Sequence, residues 1–174
     1  MAGPGRLSTM ASPRGGAELA GEMSAIRGAG ADVVVCMLAP SEIRHLGLNE
    51  EAAVAQAAGL RFIALPTPDH GLPEVAAFRA LVAEVVAEVR SGRHVVVHCW
   101  MGIGRSSMVV GAALMILGME PADAWAAISA ARGYRVPDSE DQRRWVEANM
   151  EPLFGVATAG RRRRRVRSPG NRKW

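Results

Sequence analysis

A chain of 174 residues, 49% hydrophobic and 22% charged, is sized for one domain with its own core, which excludes a disordered or collagen-like polymer. Its two cysteines, Cys36 and Cys99, are too few for a disulfide scaffold or a four-thiolate zinc site. The net charge of +4 is unevenly spread: residues 158–174 hold eight of the 21 Lys and Arg and none of the 17 Asp and Glu. The remainder is therefore net acidic, unlike the folded basic surface of a nucleic-acid binder.

In chain order, residues 15–30 carry Leu19, Met23 and Ile26 at helical spacing before Gly28 and Gly30 end the run. Asp32 to Leu38 is short, β-branched and not alternating, as in a strand buried on both faces. Ser41 is placed to cap a short helix and Asn49 to cap the next one, NEEAAVAQAAG. A second strand over 61–65 runs into the loop Pro66–Pro73. Residues 74–90 show the clearest apolar stripe, with Val75, Phe78, Leu81, Val82, Val85, Val86 and Val89. A third strand, His94–His98, feeds the turn Cys99–Gly104 and an apolar helix ending near Gly118. Pro121 opens a further helix, and the last spans about 139–154. Strands alternating with helices predict a three-layer α/β/α domain with a central, mainly parallel sheet over residues 1–157. The arginine-rich residues 158–174 are expected to be a disordered basic tail.

Ligands of open α/β sheets bind at the C-terminal ends of strands, where this chain reads His98-Cys99-Trp100-Met101-Gly102-Ile103-Gly104-Arg105-Ser106. A short turn with two glycines can aim successive backbone N–H groups inward as an anion nest. The following helix adds its unpaired N–H groups and positive end, so Trp100, Met101, Gly102, Ile103, Gly104 and Arg105 form a cradle for a tetrahedral oxyanion. Arg105 can close that cradle with a two-pronged contact to phosphate. Cys99, at its floor, is favoured as a thiolate nucleophile.

This stretch, His-Cys-five residues-Arg-Ser, resembles the cysteine-based protein tyrosine phosphatase superfamily, and its size and layout are most similar to small dual-specificity and kinase-associated phosphatases. The resemblance extends from about Gly5 to Phe154. It implies a protein tyrosine phosphatase-like fold and hydrolysis of a phosphomonoester through a phosphocysteine, with no metal and no cofactor. It also implies a general acid about thirty residues upstream, on a mobile loop. Asp69 stands there, although Pro-Asp-x-Gly is also ordinary turn chemistry. By the same resemblance the Ser106 hydroxyl assists the sulfur as it leaves. His98 points across the strand and supports the nucleophile from behind, and His70 either brushes substrate or is solvated.

Gln142 lies where relatives carry a water-positioning glutamine, yet Ser139-Glu-Asp-Gln142 also reads as a capping box, the preferred reading. Cys36 reads as core, too deep to pair with Cys99, and Asp32 and Asp138 follow the wrong elements for the acid. Ser107 replaces a glycine common among relatives, and Trp100 narrows the pocket or stacks on an aryl group. Relatives acting on inositol phosphates add basic residues to this loop, and with no lysine here the resemblance implies phosphotyrosine as the expected substrate, with phosphoserine and phosphothreonine secondary. The alternatives are a non-protein phosphate or a catalytically silent phosphoresidue-binding module. The expected partners are a phosphorylated protein or a small phosphomonoester. No nucleic-acid domain is expected, and the tail is left to weak contacts with anionic surfaces. The N-terminus shows no apolar leader and Met108–Met119 is too short for a membrane span, so a soluble, cytoplasmic monomer is expected.

Overall fold

The computed structural model describes residues 5–159. Four strands, β1 (Arg6–Met10), β2 (Val33–Cys36), β3 (Arg61–Ala64) and β4 (His94–His98), form one sheet in the order β1-β4-β2-β3. Every neighbouring pair is parallel. The helices are α1 (Leu19–Gly28, after a 3-10 turn at Gly16–Glu18), α2 (Pro40–His45), α3 (Glu51–Ala57), α4 (Val75–Arg90), α5 (Arg105–Ile116), α6 (Pro121–Arg132) and α7 (Glu140–Ala159). The predicted tail lies, but for its first two residues at the end of α7, outside the described residues. No helix among those described is long and apolar enough to cross a membrane.

Period-two alternation divides the strand side chains between two cores. Val33, Val35, Val95 and Val97 join α4, α5, α6 and α7 on one face. Val34, Cys36 and Val96 join Leu19, Met23, Leu48 and Ala55 on the other. The α4 stripe buries Phe78, Leu81, Val82, Val85, Val86 and Val89, each worth roughly 1.5–3 kcal/mol of gross burial. Helix α5 runs through the first core and is buried along most of its length. A Cβ on Gly111 would come within 2.5 Å of the Trp125 ring, so α5 and α6 pack closer than any larger residue permits.

Four local expectations change. Strand β1 has no counterpart in the sequence reading: RLSTM shows no apolar run, and it is a strand only because β4 offers a free edge to pair with. Ser41 does not cap α2. The helix begins at Pro40, with Ala39 in the cap position and the Glu42 carboxylate accepting the Ala39 N–H at 2.7 Å. Asn49 likewise yields the cap position of α3 to Glu50, which makes no side-chain cap bond. The capping box at α7 is only half formed: Ser139 Oγ accepts the Gln142 N–H at 3.2 Å, but the Gln142 side-chain amide makes no hydrogen bond in return.

Candidate active site

Strand β4 ends at His98, and six residues, Cys99–Gly104, turn the chain into α5 at Arg105. The turn is braced from outside. Ser12 N–H donates to the Trp100 carbonyl at 3.0 Å, and the Arg132 guanidinium donates to the Met101 carbonyl at 3.1 Å. In a planar trans peptide the N–H points opposite to the C=O. Holding those two carbonyls outward therefore turns the Met101 and Gly102 N–H groups toward the interior of the turn. Gly102 has φ +70°, and a Cβ there would lie 2.3 Å from the Met10 carbonyl oxygen. Both conformation and the close approach of β1 require glycine at this position.

Cys99 is buried on the floor, its Sγ 3.5 Å from the Ser106 hydroxyl oxygen. Arg105 is also buried and spends four donor contacts. Its Nη1 and Nη2 reach the two oxygens of Glu42 at 2.6 and 2.8 Å, Nη1 also donates to the Thr67 carbonyl at 2.8 Å, and Nη2 to Asp69 Oδ1 at 3.1 Å. Burial opposes the charge on Arg105. Hydrogen bonding to Glu42 and the neighbouring Cys99, Glu42 and Asp69 outweigh burial and hold the guanidinium above its ordinary range. Burial opposes the charge on Glu42 too, but Arg105 and the Ala39 N–H hold its carboxyl below the ordinary range. The fork-to-fork pair with Glu42 fixes the guanidinium plane, so its remaining edge faces one direction.

That edge meets a pocket of about 320 Å³ lined by Asp69, His70, Cys99, Trp100, Met101, Ile103, Gly104, Arg105 and Asp138. The structure thus gathers the predicted cysteine, arginine, acid and loop around one cavity. The turn reading of Asp69 holds as well, since Gly71 N–H donates to the Pro68 carbonyl at 2.9 Å. Between them His70 takes the left-handed region at φ +53°, uncommon for a non-glycine residue, and its side chain is exposed. The Trp100 ring stacks on His45 with centroids 5.5 Å apart.

Several residues appear here that the sequence reading set aside or missed. Asp138 lines the pocket, and its carboxylate would lie 2.1 Å from a Cβ on Gly104. The Gln142 amide approaches the same glycine, is buried, and has no hydrogen-bond partner. Glu42 and Thr67 were not foreseen; a single acid just past the C-terminal end of a central strand was the available signal for Glu42. Asp32 is far from this chemistry: its carboxylate holds the His94 N–H and pairs with Arg27, which together keep it below the ordinary carboxylate range. Cys36 packs in the core opposite Cys99, with the sheet between them. Among the described residues, Cys36, Glu51 and His98 bring metal-type donor atoms within 4.8 Å of one another.

The parallel sheet and the braced strand-to-helix loop are those of a cysteine-based, dual-specificity-like phosphatase of the protein tyrosine phosphatase superfamily. Residues 8–119 match the family described as "Polymorphic toxin system, DSP-PTPase phosphatase", and the chain belongs to that family. Among solved structures it is similar to kinase-associated phosphatase with serine in place of its catalytic cysteine (TM-score 0.76, 18% identity, 84% of this chain and 86% of that one). It is also similar to PTPMT1 in complex with PI(5)P (TM-score 0.73, 21% identity, 87% and 94%) and to human DUSP28 (TM-score 0.61, 22% identity, 88% and 94%). None of the curated proteins matches the sequence.

Proposed function

We propose that the protein hydrolyses phosphomonoesters through a phosphocysteine on Cys99, taking phosphotyrosine first, with phosphoserine and phosphothreonine as secondary substrates. The observation that carries this reading is the placement of Cys99, Arg105 and Asp69 around one pocket under a loop whose N–H groups turn inward. Asp69 sits on the Arg105 Nη2. Because Glu42 takes the other edge, an incoming phosphate displaces Asp69 and engages the Nε and Nη2 hydrogens side by side. Asp69, freed from Arg105, stands beside the leaving oxygen as the general acid.

Cys99 Sγ then attacks phosphorus, the S–P bond forms, the P–O bond to the leaving group breaks, and Asp69 protonates the departing oxygen. In the second step water attacks phosphorus, Asp69 takes its proton, and the S–P bond breaks. The Ser106 hydroxyl donates to the leaving sulfur, and inorganic phosphate is released. The substrate preference follows from charge. Among the described residues, Arg105 is the only arginine or lysine lining the pocket, which also carries Asp69 and Asp138. Like charges disfavour a polyphosphorylated head group there, whereas Ile103 and Met101 suit an aryl ring.

Release of phosphate from phosphotyrosyl and phosphothreonyl peptides, p-nitrophenyl phosphate and inositol phosphates, measured with a chelator present, tests the reading. The expected order places the aryl phosphates first, with Cys99→Ser inactive on all. Turnover retained by Cys99→Ser would remove the nucleophile assignment, and a preference for inositol phosphates would redirect the substrate class. Asp69→Asn should slow turnover about 10²–10⁴-fold, most severely for poor leaving groups.

A further inference from the structure

Among the described residues, four large hydrophobic side chains stand exposed: Leu72 at 43%, Met101 at 61%, Met119 at 38% and Tyr134 at 63%. Isolated cases are ordinary on a protein surface. Their distribution here is not. Leu72 lies two residues after His70, on the loop that carries Asp69, and Met101 lies two after Cys99; His70 and Met101 both line the pocket. Tyr134 follows Gly133, where a left-handed turn ends α6, on the segment that leads to Asp138. Arg132 ties the end of α6 to the Met101 carbonyl, so that segment starts beside the cysteine loop. Met119 alone is elsewhere, past the far end of α5, a helix of 12 residues or about 18 Å.

The charges on the same rim decide what covers the other three. Asp69 and Asp138 are exposed, whereas Arg105 lies buried below them with both oxygens of Glu42 on its guanidinium. Arg135, three residues before Asp138, is taken by Glu140. An anionic membrane surface is repelled by such a rim. A second copy of this chain, meeting it across a two-fold axis, brings a second set of the same carboxylates. A polypeptide with apolar and basic side chains meets neither obstacle. A phosphoresidue that reaches Cys99 also draws its own chain over the rim, so its neighbours in sequence meet these side chains.

We propose that Leu72, Met101 and Tyr134 form a docking rim for the polypeptide around the phosphoresidue, one that selects apolar residues on its flanks and a lysine or arginine facing Asp138. This rests on the pocket being a phosphatase site and names the sequence context of its substrate. Tyrosine covers a large area with few torsions to freeze, and methionine bends to fit several shapes, so the rim recognises a class of sequences. Covering Leu72 and Tyr134 is worth about tenfold in kcat/KM. A basic residue in place of an acidic one beside Asp138 adds about fivefold, since the pair is exposed.

The test measures kcat/KM of the full-length protein on phosphotyrosyl peptides, each as a ratio to p-nitrophenyl phosphate. The peptides carry leucine or serine on both flanks, each with one neighbouring lysine or glutamate. The leucine-flanked, lysine-bearing peptide is expected to be the best substrate and the serine-flanked, glutamate-bearing one the worst. Leu72→Ser with Tyr134→Ser removes the flank advantage and keeps the lysine preference. Asp138→Asn does the reverse.

A flank advantage that is missing in the wild type, or that survives in the double variant, would overturn the proposal. So would a lysine preference unchanged by Asp138→Asn. Phosphatidylcholine–phosphatidylserine vesicles bound by the wild type and not by the double variant, with no peptide preference, would make the rim a membrane face instead. A dimer in sedimentation equilibrium that the double variant alone loses, again with no peptide preference, would make it a contact between copies. Peptide affinities of the Cys99→Ser protein, read by fluorescence anisotropy, should follow the same order. Binding needs no turnover, so failure of this inference is separable from failure of the phosphatase reading.

Discussion

The layer formed by α1, α2 and α3 sends two carboxylates into the protein, and the two are treated differently. Glu42 meets Arg105 through both oxygens and also accepts the Ala39 N–H. Glu51 meets His98 at one oxygen and leaves the other unpartnered. The first pair is saturated, and saturation is what lets a buried ion pair hold a geometry. The second is under-satisfied, which is a poor way to stabilise a fold. The opposite layer, α4 to α7, has a closely apolar core. Polar machinery is concentrated where the short helices α2 and α3 meet the C-terminal ends of β2 and β4.

The largest effect should come from breaking the saturated pair. Glu42→Ala leaves a buried guanidinium without its counter-charge, and denaturant unfolding should show a loss of about 3–5 kcal/mol. Phosphatase activity should fall with it, because nothing then holds the Arg105 plane. The pH dependence sharpens the same point. The Glu42 carboxyl is held below its ordinary value of 4.5, so its contribution is full above that pH and is lost as pH falls through the lowered folded value. Unfolding of wild type and Glu42→Gln should therefore converge in acid and diverge toward neutrality.

Glu51→Gln, by contrast, should change unfolding free energy by about 1 kcal/mol or less, since an already unsatisfied group is exchanged for a neutral one of the same shape. A loss comparable to that of Glu42→Ala would erase the distinction between the two carboxylates. The smallest effect belongs to the surface. Arg61 pairs with Glu84 and Glu88 while remaining 45% exposed, and Arg61→Ala should cost about 0–1 kcal/mol, shrinking further in high salt. A salt-insensitive loss larger than Glu51→Gln would show that exposure is not what orders these pairs.

Much of the site was legible because its chemistry is local. The run from His98 to Ser106 places a cysteine, two glycines and an arginine within one strand-to-helix junction, and the structure folds it that way. Asp69 was reachable by its place after β3. Glu42, Thr67 and Glu51 were not, because each acts across 38 to 63 residues or across the register of the sheet. Gln142 is the instructive miss. Its spacing from Ser139 fits a cap, yet its amide turns toward Gly104, where the packing of α7 against α5 carries it.

Periodicity and turn chemistry alone determined three of the four strands, all the long helices and the place of the glycine-bearing turn between β4 and α5, because 3.6- and 2-residue repeats and glycine conformations are properties of neighbouring residues. Tertiary structure decided the rest. Strand β1 exists because β4 has an edge to fill, and it then walls the loop at Gly102. The direction of Arg105 is set by Glu42, and the surroundings of His98 by Glu51. Each is a pairing between groups distant in the chain, and only burial, which removes water as the competing partner, makes such pairings matter.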